Sequence, residues 1–143
     1  MKALILSWEF PPYLSCGLKN SSYNFAKELS SKKITPTIVL PYKHNKTPKF
    51  ANFIHLNNIP PRKNTDLKNL VEETEIYKNK TINAIKKVKF DVIHCNNWMT
   101  FKAGFEIKKI YKKPLIIQAD NTFFNRKLKT TEGEYEIEKE AFE

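Results

Sequence analysis

The sequence has 143 residues, enough for a single hydrophobic core, and its content of 41% hydrophobic and 13% aromatic residues excludes an intrinsically disordered chain. No apolar run approaches the roughly 20 residues of a membrane-spanning helix, and the N-terminus lacks a secretory signal, so we predict a cytoplasmic protein. The net charge of +10 suggests anionic partners, but the lysines are spread out and lack the aromatic interleaving of a nucleic-acid module. We therefore interpret them mainly as solvated helix faces, with an anionic substrate or an acidic partner as a further explanation.

The cysteines and histidines of the sequence do not occur at metal-ligand spacing. Cys16 and Cys95 are far apart, and a cytoplasmic chain keeps both as thiols. We accordingly predict no metal site, no cofactor and no structural disulfide.

The first half of the chain alternates short apolar runs with polar turns. Residues 3–6 form an apolar run that predicts a buried strand, and the prolines at 11–12 then exclude helix. Two more apolar runs, at 37–40 and 53–56, also predict strands, with a polar loop over 42–49 between them. Five residues recur at helical spacing and predict a helix from about residue 18 to residue 33 with one narrow apolar face: Leu18, Ser22, Phe25, Ala26 and Leu29.

The second half continues the alternation of helix and strand. It predicts helices from Asp66 to about residue 88, over 101–110 and over 131–143, with strands over 90–95 and 114–118. This order predicts an α/β, Rossmann-like three-layer domain with a mainly parallel sheet covered on both faces. A doubly wound domain commonly has about six strands, so we expect one domain over 1–143 that is incomplete at its C-terminus.

Two loops at strand ends are candidate ligand sites. The loop before the first helix carries Gly17, and the free N–H groups and dipole of a helix N-terminus favour a phosphate-bearing ligand there. Asn96 and Asn97 follow the fourth strand, where open α/β sheets bind ligands and where amides can hydrogen-bond sugar hydroxyls. A tight turn at Gly17 and a polar turn at Asn96-Asn97 are the alternative structural interpretations.

Four blocks of sequence carry a family resemblance. They are residues 5–12 with Gly17-Leu18, residues 91–100, residues 113–126 and residues 135–140. In this order they cover nearly the whole chain. They resemble the N-terminal domain of the starch/glycogen synthase-like glycosyltransferases of GT-B fold, whose "DVIHxHDW" and "EIEREG" segments are similar to the second and fourth blocks.

The resemblance implies two Rossmann-like domains that face each other across a cleft. The N-terminal domain mainly takes the acceptor sugar chain, and the C-terminal domain mainly binds the nucleotide-sugar. The chain thus resembles only the acceptor-side half, without a donor-binding domain. The implied reaction is metal-free glucosyl transfer from ADP- or UDP-glucose to an α-glucan, as in glycogen or starch synthesis. Because the chain supplies only one of the two domains that form the cleft, we expect it to be inactive by itself.

The resemblance also implies where substrates bind. Cys16, Gly17, Leu18 and Lys19 stand where the family has a Gly-Gly-Leu-Gly loop near the donor phosphates, so Cys16 and Lys19 add bulk at a close approach. Asn96 and Asn97 replace the family's His-Asp pair, and Trp98 is retained. Asp120, beside Asn121 and Thr122, aligns with the histidine that reaches the donor sugar, which makes Asp120 the catalytic candidate.

Several of these residues have plainer alternatives. Lys19 pairs with phosphate in the functional interpretation and is a solvated lysine in the other. Asp120 can equally be a helix cap or loop residue, and Trp98 can serve packing in place of sugar stacking. Cys16 is either a thiol activated by a helix N-terminus or a small buried side chain.

Three functions remain open from the sequence. The chain is the acceptor-side part of a glucosyltransferase, completed by a partner chain or a missing domain that carries the donor site. Alternatively it is a non-catalytic glucan-binding or scaffold protein derived from the same fold, because the family's glycines, histidines and aspartate are replaced. The third interpretation, a basic nucleic-acid-binding protein, rests on net charge alone.

Overall fold

A computed structural model describes residues 1–11, 21–43, 47–57, 67–119 and 135–139. Strands and helices alternate along most of this length, and residues 135–139 are helical as well. The elements, in chain order, are β1 (Lys2–Leu6), α1 (Ser21–Ser31), β2 (Thr35–Leu40), β3 (Asn52–His55), α2 (Leu67–Ala84), β4 (Val92–Cys95), α3 (Trp98–Tyr111) and β5 (Leu115–Ile117).

The five strands form one parallel sheet in the order β3-β2-β1-β4-β5. β1 lies at the centre, where Leu4 pairs with Thr37 of β2 on one side and with Ile93 of β4 on the other. The chain therefore places β2 and β3 on one side of β1, and then places β4 and β5 on the other side. The point of reversal lies between β1 and β4, and in open α/β sheets this is where ligands bind.

Both faces of the sheet are covered, as the apolar strands predicted. Side chains alternate along β1, so that Leu4 and Leu6 belong to the cluster beneath α2 and α3, whereas Ala3 and Ile5 belong to the cluster beneath α1. Ala3 is 3% exposed and the other three are fully buried. The α/β class, the parallel sheet and the three-layer arrangement are confirmed.

The predicted elements correspond closely to the observed ones. The largest differences are at α2, which ends at Ala84 and not near residue 88, and at α3, which begins at Trp98, a turn before the predicted start at residue 101. The predicted start of α1 near Leu18 lies outside the described residues, as do both ends of the predicted helix over 131–143, although Ile137 within it is 2% exposed and packs into the core. No helix in the described ranges is long and apolar enough to cross a membrane.

Two residues have partners that the sequence patterns did not indicate. Ser22 was expected on the apolar face of α1, but its hydroxyl joins a polar network with Ser7 and Asn96. Tyr42 was expected in a polar loop, yet it is 6% exposed and its hydroxyl accepts a hydrogen bond from the backbone N–H of Phe10 at 3.0 Å. In both cases the hydrogen-bond partner is distant in the sequence, so the local pattern of apolar and polar residues does not predict it.

Helix α3 approaches β4 closely because it carries a glycine at the contact. A Cβ on Gly104 would lie 2.3 Å from the Sγ atom of Cys95 and 3.1 Å from Cδ1 of Leu115. Cys95 is fully buried, and this burial raises the pKa of its thiol to about 12. The thiol therefore stays protonated, hydrogen-bonds the carbonyl of Thr100 and serves packing.

Candidate functional site

The candidate site lies at the carboxyl ends of β1 and β4, on either side of the reversal point. Ser7 directly follows β1, and its backbone N–H donates to the carbonyl of Val39 at 3.2 Å. Asn96 directly follows β4, and its N–H donates to the carbonyl of Leu6, also at 3.2 Å. These bonds extend the sheet ladder by one residue, so the sheet fixes the position of both residues.

Three polar side chains meet across this edge. The amide nitrogen Nδ2 of Asn96 donates to Oγ of Ser22 at 2.6 Å and lies 3.3 Å from Oγ of Ser7. The two serine hydroxyls are 2.9 Å apart, and Ser7 Oγ also donates to the carbonyl of Glu9 at 2.7 Å. The network joins β1, β4 and the first turn of α1. We call Ser7, Ser22, Asn96 and Asn97 the carboxyl-edge cluster.

The cluster has hydrogen-bonding capacity to spare. The side-chain oxygens Oδ1 of Asn96 and Asn97 are both buried and have no hydrogen-bond partner within the described residues. Asn96 itself is 7% exposed. Because an unsatisfied buried polar atom costs about 1–3 kcal/mol, we expect these two to be satisfied by a bound molecule, by water or by a group outside the described residues.

The amino end of α3 adds a partial positive charge at the same place. Asn97 is the N-cap of α3, with extended backbone at φ −163° and ψ 168°, but its side chain makes no capping hydrogen bond. Its carbonyl instead accepts from Thr100, at 3.0 Å from the backbone nitrogen and 2.8 Å from Oγ1. The positive end of the helix dipole is therefore left without a side-chain cap at the carboxyl edge.

Trp98 lies next to the cluster but is largely enclosed. It is 8% exposed and belongs to the core beneath α2 and α3. The indole therefore has little free surface for a sugar to stack on. Its packing role is visible in the structure, whereas its role in substrate binding stays a prediction.

The two histidines of the described residues, His55 and His94, both lie in strands of the sheet. His94, in β4, is 5% exposed and stacks against Phe25 of α1, with ring centroids 4.4 Å apart. Burial, followed by the charge of Lys43, lowers the pKa of His55 at the end of β3. No group of three or more His, Cys, Asp or Glu side chains that could hold a metal occurs among the described residues.

Most of the predicted site residues lie outside the described part of the chain. They are Cys16, Gly17, Leu18, Lys19, Asp120, Asn121 and Thr122. Of the predicted residues, the structure brings Asn96, Asn97 and Trp98 together at the carboxyl edge.

The sequence patterns did not indicate Ser7 and Ser22 as members of the site. They also did not indicate the hydrogen bond of 3.5 Å between the side chains of Gln118 and Ser21. Ser7 and Gln118 each follow a strand, a signal that could have placed them at this edge. No such signal marks Ser22, because it falls at the same helical spacing as the apolar residues of α1.

Comparison with solved structures identifies the fold. Sucrose-phosphate synthase from Thermosynechococcus elongatus superposes with a TM-score of 0.74 at 13% identity, over 97% of this chain and 39% of that one. The chain has the fold of a GT-B domain. A UGT transferase from Siraitia grosvenorii, solved in complex with UDP, matches with a TM-score of 0.52 at 9% identity, over 81% of this chain and 27% of that one.

The match is one of structure only. No family of known proteins and no curated protein matches the sequence. The chain spans about two fifths of the first of the two glycosyltransferases and about a quarter of the second. It therefore corresponds to a single Rossmann-like half of the GT-B fold.

Proposed function

We propose that the chain is the N-terminal, acceptor-side part of a starch/glycogen synthase-like glycosyltransferase, acting in glucosyl transfer from a nucleotide-sugar to an α-glucan. The observation that carries the proposal is the pair of buried amide oxygens of Asn96 and Asn97, which have no partner in the described part of the chain and lie at the reversal point of a GT-B-type sheet. The similarity of four sequence blocks to that family gives the proposal its reaction and its substrates.

The chemistry of the cluster suits a carbohydrate better than a charged ligand. A sugar hydroxyl both donates and accepts, so it can donate to an orphaned Oδ1 while it accepts from a neighbouring N–H or hydroxyl. The serine hydroxyls and amide groups of the cluster carry no charge at any ordinary pH. Binding through these groups is therefore expected to depend little on pH between about 5 and 8, since none of the four side chains of the cluster titrates in that range.

The donor would occupy the opposite wall of the cleft. In this proposal the second wall, with most of the nucleotide site, comes from a partner chain or from a further domain of the same protein. The uncapped amino end of α3 then faces the departing diphosphate, where fixed dipoles stabilise developing negative charge. Contact of Gly17 and Lys19 with the donor phosphates stays a prediction. The role of Asp120 in catalysis stays a prediction, as do the substrate contacts of Cys16, Leu18, Asn121 and Thr122.

A second candidate is a non-catalytic glucan-binding or scaffold protein of the same fold. It is favoured by the absence of titratable groups in the carboxyl-edge cluster, which has amides where the resembling family has a histidine and an aspartate. Such a protein would bind an α-glucan through Asn96 and Asn97 without moving protons or glucosyl groups.

Calorimetric titration of the 143-residue chain with a maltooligosaccharide tests the shared part of both candidates. We expect saturable binding that Asn97→Ala weakens about three- to tenfold, the value of one lost hydrogen bond. Asn79→Ala, which truncates an exposed asparagine on α2, is the matched control and should leave affinity unchanged. No heat with maltooligosaccharide, ADP-glucose or UDP-glucose would reject both candidates.

Transfer of labelled glucose separates the two candidates. The chain is mixed with the polypeptide that carries the donor domain, then supplied with labelled ADP- or UDP-glucose and a maltooligosaccharide. Label in the glucan that falls on Asn97→Ala substitution supports the enzyme part. Glucan binding without any transfer of label would leave the binding protein as the correct function.

A further inference from the structure

The amino ends of the strands form a second surface, opposite the carboxyl-edge cluster. In a parallel sheet the segments that enter the strands all lie at one edge, and hydrogen bonds fasten them together here. The N–H of Thr35 donates to the carbonyl of Met1 at 3.0 Å, that of Asp91 to Lys2 at 2.8 Å, and that of Ile93 to Pro114 at 2.9 Å. Four adjacent strands, at ~4.8 Å spacing, make this edge about 15 Å wide.

This edge is densely basic. Its segments, residues 1–2, 32–34, 85–91 and 108–114, contain ten lysines and a single carboxylate, that of Asp91. Nine of the ten lysines are exposed and one, Lys113, is half-buried. We call this set the amino-edge face; its lysines are Lys2, Lys32, Lys33, Lys86, Lys87, Lys89, Lys108, Lys109, Lys112 and Lys113.

Helix dipoles do not account for so much charge. The helices α1, α2 and α3 all end at this edge, and each contributes roughly half a negative charge there, or about −1.5 in all. Asp91 and Glu106, whose carboxylate lies 4.0 Å from Lys109, offset two of the ten lysines and leave a net charge of +8 at this edge. Most of the charge is therefore uncompensated, and because the lysines lie within about one or two Debye lengths of ~8–10 Å, they repel one another.

Backbone conformation is an independent observation, because two of these lysines occupy positions that carry a local cost for any residue with a Cβ. Lys33 and Lys112 adopt left-handed backbone, with φ of 61° and 53°, directly after α1 and α3. Glycine or asparagine usually occupies such a position after a helix, because a Cβ is strained in it. Two of the three non-glycine residues with positive φ in the described ranges are thus lysines of the amino-edge face.

Apolar side chains accompany the lysines. Met1 is 66% exposed where β1 begins, and Ile110 is 50% exposed in the last turn of α3 between Lys109 and Lys112. Exposed apolar residues surrounded by lysines are typical of protein surfaces that rest on anionic bilayers, where the apolar groups enter the headgroup region and the lysines meet lipid phosphates and carboxylates.

Nucleic acid fits this face less well. Both arginines of the sequence, Arg62 and Arg126, lie outside the described residues, so the described face offers point charges without the planar fork that reads phosphates and bases in pairs. The aromatic residues of these segments are not exposed, since Phe90 is 6% exposed and Tyr111 is half-buried. The face thus lacks a stacking platform for bases.

We propose that the amino-edge face docks the protein on an anionic lipid bilayer. The contact is electrostatic, is assisted by Met1 and Ile110, and requires no membrane-spanning segment. The carboxyl-edge cluster lies at the other end of the strands, so docking leaves that cluster open to solvent and to the second wall of a cleft. This inference does not depend on the proposed function.

Vesicle co-sedimentation tests the inference. The full chain is mixed with vesicles of neutral phosphatidylcholine and with vesicles in which about a third of the lipid is phosphatidylserine. We expect binding to the anionic vesicles only, and its loss at roughly 0.5 M salt, where the Debye length falls to a few ångströms. Lys86→Gln/Lys112→Gln should weaken binding about 10- to 30-fold, because each lysine near the surface contributes about fivefold.

The matched control is Lys27→Gln/Lys43→Gln, which removes the same charge from exposed positions away from the amino-edge face. It should change vesicle affinity by less than threefold, and circular dichroism checks that both variants fold. Equal losses in the two variants would overturn the proposal, because net charge alone would then explain binding. Failure to bind anionic vesicles at low salt would also overturn it, as would tighter binding to duplex DNA or RNA that Lys86→Gln/Lys112→Gln abolishes.

Discussion

Asn97 occupies a helix-capping position without using its side chain as a cap. Its backbone has the extended conformation of an N-cap, yet its buried Oδ1 has no partner among the described residues and makes no bond to the first turn of α3. An asparagine that capped the helix would be unavailable to a ligand. The side chain is therefore available to the carbohydrate that we propose, at some expense of helix stability.

Asn97→Asp should stabilise the fold. A carboxylate interacts more favourably than an amide with the positive end of the α3 dipole, so we expect the free energy of unfolding to rise by about 0.5–1 kcal/mol at neutral pH. Urea unfolding measures the change. The gain should vanish below about pH 3, where the aspartate is protonated. Asn79→Asp, in the middle of α2, is the control and should bring no gain; an equal gain there would contradict the dipole explanation.

At the scale of residues, sequence patterns located only part of the candidate site. Asn96 and Asn97 were predictable because polar residues that follow a buried strand fall at the carboxyl edge. Ser22 was not, since its spacing matches the apolar face of α1, and only the positions of Ser7 and Asn96 after folding give its hydroxyl partners. The buried, unpartnered oxygens likewise depend on tertiary contacts.

At the scale of elements, a glycine allows α3 to lie close to the sheet, and an ion pair joins α3 to α2. Gly104 allows α3 to approach Cys95 of β4. On the opposite side of the helix, Nζ of Lys102 lies 2.6 Å from Oε1 of Glu75, and Lys78 bonds the other oxygen of the same carboxylate. These two contacts orient the helix that carries Asn97 at its start.

Gly104→Ala should destabilise the protein by about 1–3 kcal/mol, although alanine is the better helix former. The reason is the new Cβ, which would lie 2.3 Å from a buried sulfur that cannot withdraw into solvent. Thermal or urea unfolding measures the loss. In the background of Cys95→Ala, which removes the sulfur, the same substitution should cost clearly less; an undiminished cost would contradict the proposed clash.

Glu75→Gln should make the free energy of unfolding less dependent on pH in the acid range. Hydrogen bonds from Lys102 and then Lys78 lower the pKa of the Glu75 carboxyl. A lowered pKa contributes stability that is present above the unfolded value, about 4.5, and is lost as pH falls through the lower folded value. Glu75 is 40% exposed, so the contribution at pH 7 is only about 0.5 kcal/mol.

Urea unfolding at several pH values measures this effect. The wild type should exceed Glu75→Gln in stability at neutral pH, and the difference should shrink in acid. Glu106→Gln is the control, because its carboxylate lies 4.0 Å from Lys109 within one helix and joins no two elements. A stability difference between wild type and Glu75→Gln that stays constant down to about pH 2 would contradict the ion-pair explanation.

At the scale of the whole molecule, the sequence predicted the layers but not the distribution of charge. Alternating apolar strands and amphipathic helices were enough to predict a parallel α/β sheet covered on both faces, and the structure confirms it. The lysines are dispersed along the sequence, because the four segments that carry them are spread between residues 1 and 114. Folding gathers them, since every helix of a parallel α/β fold ends at the same edge of the sheet.

The two edges of the sheet thus have opposite characters. The carboxyl edge collects uncharged hydrogen-bonding groups around the reversal point, and the amino edge collects lysines. We therefore expect sugar ligands and anionic surfaces to act on separate ends of the strands, with little competition between them.

Mapping ligand contacts by NMR distinguishes these two ends. The backbone amide signals of the labelled chain are followed during titration with a maltooligosaccharide, residue by residue. We predict saturable shifts at Ser7, Ser22, Asn96 and Asn97, with the amides of residues 85–91 and 108–114 unchanged. Shifts confined to the amino-edge face, or no shifts at concentrations that saturate binding, would contradict a carbohydrate site at the carboxyl edge.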